Sequence, residues 1–108
     1  MENNERLSTL KQVLAENPKD AFARYGVAME YSKVGDIESA LAEFRQLLEF
    51  HPDYTAGYFM AAQTLARASR NDEARDMLKQ GIACAARTGN DHAKSEMETM
   101  LSDLNQNP

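Results

Sequence analysis

The chain has 108 residues, room for one compact domain and no more. Seventeen Asp and Glu (17) outnumber 12 Lys and Arg, and a net charge of −5 without a basic stripe argues against a nucleic-acid backbone as ligand. An apolar share of 43% excludes a wholly disordered chain, and the absence of Trp, the scarcity of Gly and Pro and the abundance of Ala, Leu, Met, Glu and Lys favour helix.

Met1 to Glu5 are polar and acidic and lack the basic start and apolar stretch of a signal peptide. A first helix is predicted over 5–16, with Pro18 just beyond it. The second, 21–34, carries Val27, Ala28 and Tyr31 on one face. In the turn Lys33-Val34-Gly35-Asp36, Gly35 suits the left-handed conformation that ends a helix, and Asp36 suits the N-cap of the next. That third helix, 37–50, places Ala40, Leu41, Phe44, Leu47 and Leu48 at i, i+1, i+4, i+7 and i+8. Pro52 stops it. A fourth helix is predicted over 55–68, and the turn after it, Ser69-Arg70-Asn71-Asp72, is weaker for want of a glycine. The fifth spans 71–87, where Asp72 and Glu73 suit the positive end of a helix dipole. Gly89 and Asn90 supply a stop and a start before the sixth, 91–105, whose apolar face is Ala93, Met97, Met100, Leu101 and Leu104. Residues 1–4 and 105–108 read as frayed.

Shifting the sequence by 34 places pairs Pro18 with Pro52, Leu10 with Phe44, Ala28 with Ala62, Ala40 with Ala74 and Phe44 with Leu78. Each period is helix, tight turn, helix. The small residues Ala28, Ala40, Ala62 and Ala74 would let helices approach, with Tyr31, Phe44, Leu65 and Leu78 filling the gaps between them. Each large side chain so buried contributes about 1.5–3 kcal/mol.

This spacing resembles the tetratricopeptide repeat, whose helix pairs follow W-x2-L-G-x2-Y…A-x3-F…P. Repeat 1, residues 21–54, matches through Val27, Ala28, Tyr31, Gly35, Ala40, Phe44 and Pro52, with Arg24 where the family prefers Trp and Leu47 where it prefers Ala. Repeat 2, residues 55–88, matches through Tyr58, Ala61, Ala62, Leu65, Ala74 and Leu78, with Gly81 for the later Ala and Ala86 for Pro. Residues 5–18 form an N-terminal half-repeat, and 91–105 a C-terminal capping helix displaced by Gly89-Asn90. The resemblance implies an all-α, right-handed helical-hairpin solenoid of six helices in a single domain.

No motif of catalysis accompanies it. GxSxG, HExxH, CxxC and a phosphate-cradling glycine cluster are all absent, so neither enzyme activity nor a cofactor is expected. His92 and Glu96 share a helix face but have no third ligand for a metal, and His51 reads as a solvated helix-end residue. Cys84 is the sole cysteine and reads as a small half-buried hydrophobe. The longest apolar run, Ile82 to Ala86, is far short of the ~20 residues that cross a bilayer. A cytoplasmic protein that binds neither membrane nor nucleic acid is the expectation.

The resemblance further implies a concave face lined by the first helix of each pair. Carried over, its ligand-facing positions are Phe22, Tyr25, Met29 and Ser32 in repeat 1, and Ala56, Phe59, Gln63 and Ala66 in repeat 2. On the last helix they are His92, Ser95, Thr99 and Ser102. Family members that clamp a C-terminal carboxylate place Lys, Asn and Arg there; here Tyr25 and Met29 stand at two such places. Phe22, Tyr25, Met29 and Phe59 have no obvious partner within a helix pair, so with Gln63 and His92 they are the expected partner-binding groove. The expected function is a non-catalytic adaptor or scaffold that binds a peptide or helix. Homo-oligomerisation, as a dimer burying the same groove or head to tail through the two half-repeats, is the alternative. Lys94, Glu96, Glu98 and Asp103 read as a solvated outer face of the last helix, which argues against head-to-tail stacking.

Overall fold

A computed structural model describes residues 4–106. Its helices are α1 (Glu5–Glu16), α2 (Ala21–Lys33), α3 (Ile37–Phe50), α4 (Thr55–Arg67), α5 (Asn71–Thr88) and α6 (Asp91–Gln106). Short polar side chains fix most of the starts. Asn4 Oδ1 accepts from the Leu7 amide at 2.9 Å, Asp20 Oδ1 from Ala23 at 2.9 Å, Asp36 Oδ1 from Ser39 at 3.3 Å and Asn90 Oδ1 from Ala93 at 3.1 Å. The expected fraying therefore fails at Asn4, which caps α1, and at Asn105 and Gln106, which lie in α6. Its remaining residues, 1–3 and 107–108, lie outside the described ones.

The stops follow the turn chemistry. Gly35 has φ +84° and Gly89 has φ +71°. Ser69, one 34-residue period after Gly35, takes φ +61° without being glycine. The weak turn is thus built to the same geometry as the strong one, with a residue less suited to it.

Each helix packs on its chain neighbours, α2 also meets α4, and α4 also meets α6. The helices α2, α4 and α6 form one layer and α1, α3 and α5 the other. Contact between successive members occurs only in the first layer, so that layer is the inner, concave one. The core is strung along the stack in successive clusters. Leu10, Ala23 and Val27 join α1 to α2. Ala28, Ala40, Phe44, Leu47 and Ala61 join α2, α3 and α4. Leu41, Leu65 and Ala74 form a third cluster. Tyr58, Ala62, Leu78, Cys84, Ala85 and Met97 join α4, α5 and α6. Ala28, Ala40, Ala62 and Ala74 are all fully buried, as are Phe44 and Leu78. Cys84 is fully buried rather than half-buried, with its Sγ 3.3 Å from Thr55 Oγ1.

The interhelix loops are pinned in a repeating way. Arg24 donates through Nη2 to the Pro18 carbonyl at 2.8 Å, and Tyr58 donates its hydroxyl to the Pro52 carbonyl at 2.8 Å. Both donors stand at the family's Trp position. Arg24 also reaches Glu43 Oε1 at 2.7 Å, tying α2 to α3. His51 is not merely a solvated end residue: its Nε2 lies 2.7 Å from the Lys19 carbonyl, joining the end of α3 to the α1–α2 loop. Arg87 ties the end of α5 to the α3–α4 loop through Asp53 Oδ1 at 2.7 Å.

Candidate functional site

The carried-over positions all fall on α2, α4 and α6, but they do not form one continuous exposed strip. Phe22, in the first turn of α2, is 67% exposed. Tyr25 is half-buried, its ring 5.4 Å from that of Tyr54 and 6.5 Å from that of Phe44. Burial, reinforced by Tyr54, holds the Tyr25 phenol above its usual pKa. Met29 is half-buried against the cluster around Phe44 and Leu47. Phe59 is half-buried against the cluster around Tyr58, Ala62 and Leu78. The expectation that these four lack partners is thus corrected for three of them. The reason is that each inner helix packs on the following pair as well as on its own, and Tyr54, just before α4, covers Tyr25 from that side.

Ser32 is buried rather than ligand-facing. Its Oγ lies 2.8 Å from Thr64 Oγ1 and accepts a hydrogen bond from Arg67 Nη2, which closes the α2–α4 junction. Ala56 is exposed, and Ala66 packs against Leu41 and Leu65. Ser102 lies away from the inner layer, beside Lys79, Ile82 and Leu101 between α5 and α6.

The remaining positions converge. Phe59 and Gln63 of α4 and His92, Ser95 and Thr99 of α6 line one open cleft of about 360 Å³. Three residues not anticipated there complete it: Glu96, Met100 and Asp103. On a helix of 3.6 residues per turn, Glu96 and Asp103 are i and i+7 and share a face, whereas Lys94 and Glu98 are i and i+4 on another. The expected solvated outer face therefore splits in two. Lys94 Nζ pairs with Glu98 Oε2 at 3.0 Å, while Glu96 and Asp103 border the cleft. The i+4 spacing of Glu96 from His92 was the available signal, and His92 Nε2 lies 3.5 Å from Glu96 Oε1.

The cleft therefore has an apolar floor of Phe59 and Met100, a polar wall of hydroxyls and an amide, and two carboxylates. Among the described residues, no group of three or more His, Cys, Asp or Glu is placed to hold a metal ion, and no helix is long and apolar enough to cross a membrane.

Two family models described as Tetratricopeptide repeat match residues 31–96 and 1–58. TPR repeat-containing protein PA0015 of Pseudomonas aeruginosa is 32% identical over 95 residues, covering 88% of this chain and 90% of its own. A solution structure of a tetratricopeptide repeat domain protein from Salinibacter ruber superposes with a TM-score of 0.76 at 34% identity, over 82% of this chain and 89% of that one. The TPR2B domain of yeast Sti1, solved in a complex with pHsp70, superposes with a TM-score of 0.87 at 17% identity, over 94% of this chain and 82% of that one. Spacing, helix pairing and these matches agree: the chain belongs to the tetratricopeptide repeat family.

Proposed function

We propose that the chain is a non-catalytic protein-interaction module, an adaptor or small scaffold, that seats a peptide or helix on its inner layer, mainly in the α4–α6 cleft. The observation that carries this reading is the convergence of Phe59, Gln63, His92, Ser95 and Thr99 on that one cleft. Half-buried aromatic and thioether groups beside hydroxyls and an amide are the composition of a recognition surface. The yeast Sti1 domain, of the same fold, has been captured with a partner, which makes this use of the architecture physically reasonable.

The test is selection from a random peptide library displayed on phage, using the wild-type chain and a Ser95→Gln/Thr99→Gln variant. Both positions are exposed, and Gln is at least as good a helix former, so the variant narrows the cleft without disturbing the fold. Wild type should enrich peptides that the variant fails to hold. Equal enrichment by both would place binding elsewhere. Self-association is the second reading, favoured by the exposed ring of Phe22. Sedimentation over a concentration series tests it, and a strict monomer would remove it.

A further inference from the structure

We propose that the outer groove between α5 and α6 docks a second copy of this chain, which seats its α1 there and extends the stack head to tail. The groove, of about 720 Å³, has walls that include Lys79 and Ile82 of α5 and Glu98, Leu101 and Ser102 of α6. Allowing for the Gly89-Asn90 insertion, these five stand one period after Arg45, Leu48, Ala62, Leu65 and Ala66. Those earlier five make the seat that α5 fills. Ala74 packs with Leu65 and Ala66, Leu78 shares a cluster with Leu48 and Ala62, and Arg45 Nη2 lies 3.9 Å from Glu73 Oε1. The α5–α6 groove is thus built like a seat that the chain fills with its own helix one period earlier.

The occupant follows from the other end of the molecule. Among the described helices α1 packs on α2 alone, as the second helix of a pair whose first is missing. Its Arg6, Leu10 and Val13 stand one period before Ala40, Phe44 and Leu47, which pack with Ala28 of α2. Leu47 is fully buried, whereas Val13, with no such helix in front of it, is 38% exposed. In a stacked copy Leu10 takes the place of Leu78, and Arg6 takes that of Ala74, against Glu98 and Leu101. The charges are complementary there. Ala28 and Ala40, in contact within repeat 1, have Glu98 and Arg6 as their counterparts at the two ends. Neither charge has to leave its own chain. Arg6 meets Glu30 through Nε, which leaves its Nη donors for a second carboxylate, and Glu98 takes Lys94 on Oε2, which leaves Oε1 for a guanidinium. Of the four α6 residues read as a solvated outer face, Glu98 alone lines this groove, so the objection to stacking reduces to a charge that Arg6 answers. Docking on the outer layer leaves α2, α4 and α6 uncovered, and the inner face continues from copy to copy.

The test is sedimentation velocity over a concentration series, with the wild-type chain and two variants that each block one end. Val13→Glu puts a carboxylate where stacking buries the side chain, and Glu98→Arg sets a like charge against Arg6. Both positions are exposed, and circular dichroism checks that the helix content is kept. A head-to-tail junction is heterologous, so the wild type should grow past dimer as concentration rises. Each variant alone should stay a monomer. Their equimolar mixture should form a heterodimer and stop there, because the intact α1 of the Glu98→Arg chain meets the intact groove of the Val13→Glu chain. Val13→Lys should behave as Val13→Glu does, since burial of either charge blocks the seat. A wild type that stays monomeric, or a mixture that does, overturns the proposal. Variants that each still dimerise alone would overturn it too, and would assign association to a symmetric contact such as one through Phe22. None of these outcomes bears on the α4–α6 cleft, whose peptide binding is read separately.

Discussion

Ser69→Gly is the substitution that most directly tests the repeat as a physical unit. Ser69 holds φ +61° at the place where the preceding repeat has Gly35 at φ +84°. An L-residue in this region costs about 1–2 kcal/mol because its Cβ crowds the following carbonyl. Glycine removes that cost, offset by about 0.5–1 kcal/mol of extra backbone entropy in the unfolded chain. Nothing else changes: Ser69 is exposed, and it is its amide, not its side chain, that closes the turn on the Ala66 carbonyl at 3.0 Å. The expected gain is about 0.5–1 kcal/mol, or roughly 2–6 °C in Tm for a domain of this size. Gly35→Ala should do the reverse, losing about 1 kcal/mol, since no side chain contact at Gly35 would compensate. Urea titration followed by circular dichroism measures both. A Ser69→Gly variant with an unchanged or lower midpoint would mean that the two turns are not equivalent, and the reasoning from period to conformation would fall with it.

Three further outcomes follow from the packing. Ala40→Asp or Ala74→Asp puts an unpaired carboxylate at a fully buried position, and the combined overpacking and desolvation, several kcal/mol, should abolish the helical signal at 25 °C; a folded variant would show the seat is not closed. In Gly81→Ala the new Cβ would lie 2.7 Å from Tyr58 Cβ and 2.5 Å from Met97 Sδ, so strain of about 1–3 kcal/mol should outweigh the ~1 kcal/mol gained in helix propensity, and a raised urea midpoint would contradict this. Burial holds the phenols of Tyr25, Tyr54 and Tyr58 above the ordinary pKa, so the unfolded chain ionises first and the stability these groups contribute, full below pH ~10, is lost as pH rises beyond it. Tyr25→Phe should therefore move the alkaline unfolding midpoint upward, and an unmoved midpoint in a pH titration read by circular dichroism would exclude a role for that ring.

The helices were legible because local chemistry and tertiary packing demand the same thing. Asp36, Gly35, Gly89 and Asn90 act through their own backbone neighbours, so their roles are written in a few adjacent residues. The period of Ala28, Ala40, Ala62 and Ala74 is visible because close helix approach tolerates only small side chains, wherever in the stack it occurs. Arg24 shows the limit of such pattern matching. By composition it departs from the family's aromatic at that position, yet its guanidinium reaches the Pro18 carbonyl as the Tyr58 hydroxyl reaches that of Pro52. What the position requires is a long side chain with a donor at its tip, and residue identity alone does not display that requirement.

The site was legible only in part, and the reason is geometric. Whether an inner-helix residue is free depends on the next pair of helices, which local periodicity does not contain. Tyr25, in α2, is covered by Tyr54, a residue of the loop between α3 and α4. Phe59, one period after Tyr25, differs from it for the same reason: Phe59 lines the cleft between α4 and α6, whereas Tyr54 covers Tyr25. On α6 the polar residues are too many for hydropathy to separate a cleft wall from a solvent face. Only the angular argument does so, by setting Glu96 and Asp103 with His92 and Thr99 and leaving Lys94 and Glu98 to each other. The side of α6 that faces the cleft is thus a property of the docked helix, and a change in its docking, by enlarging Gly81 beneath Met97, should disturb peptide binding and stability together.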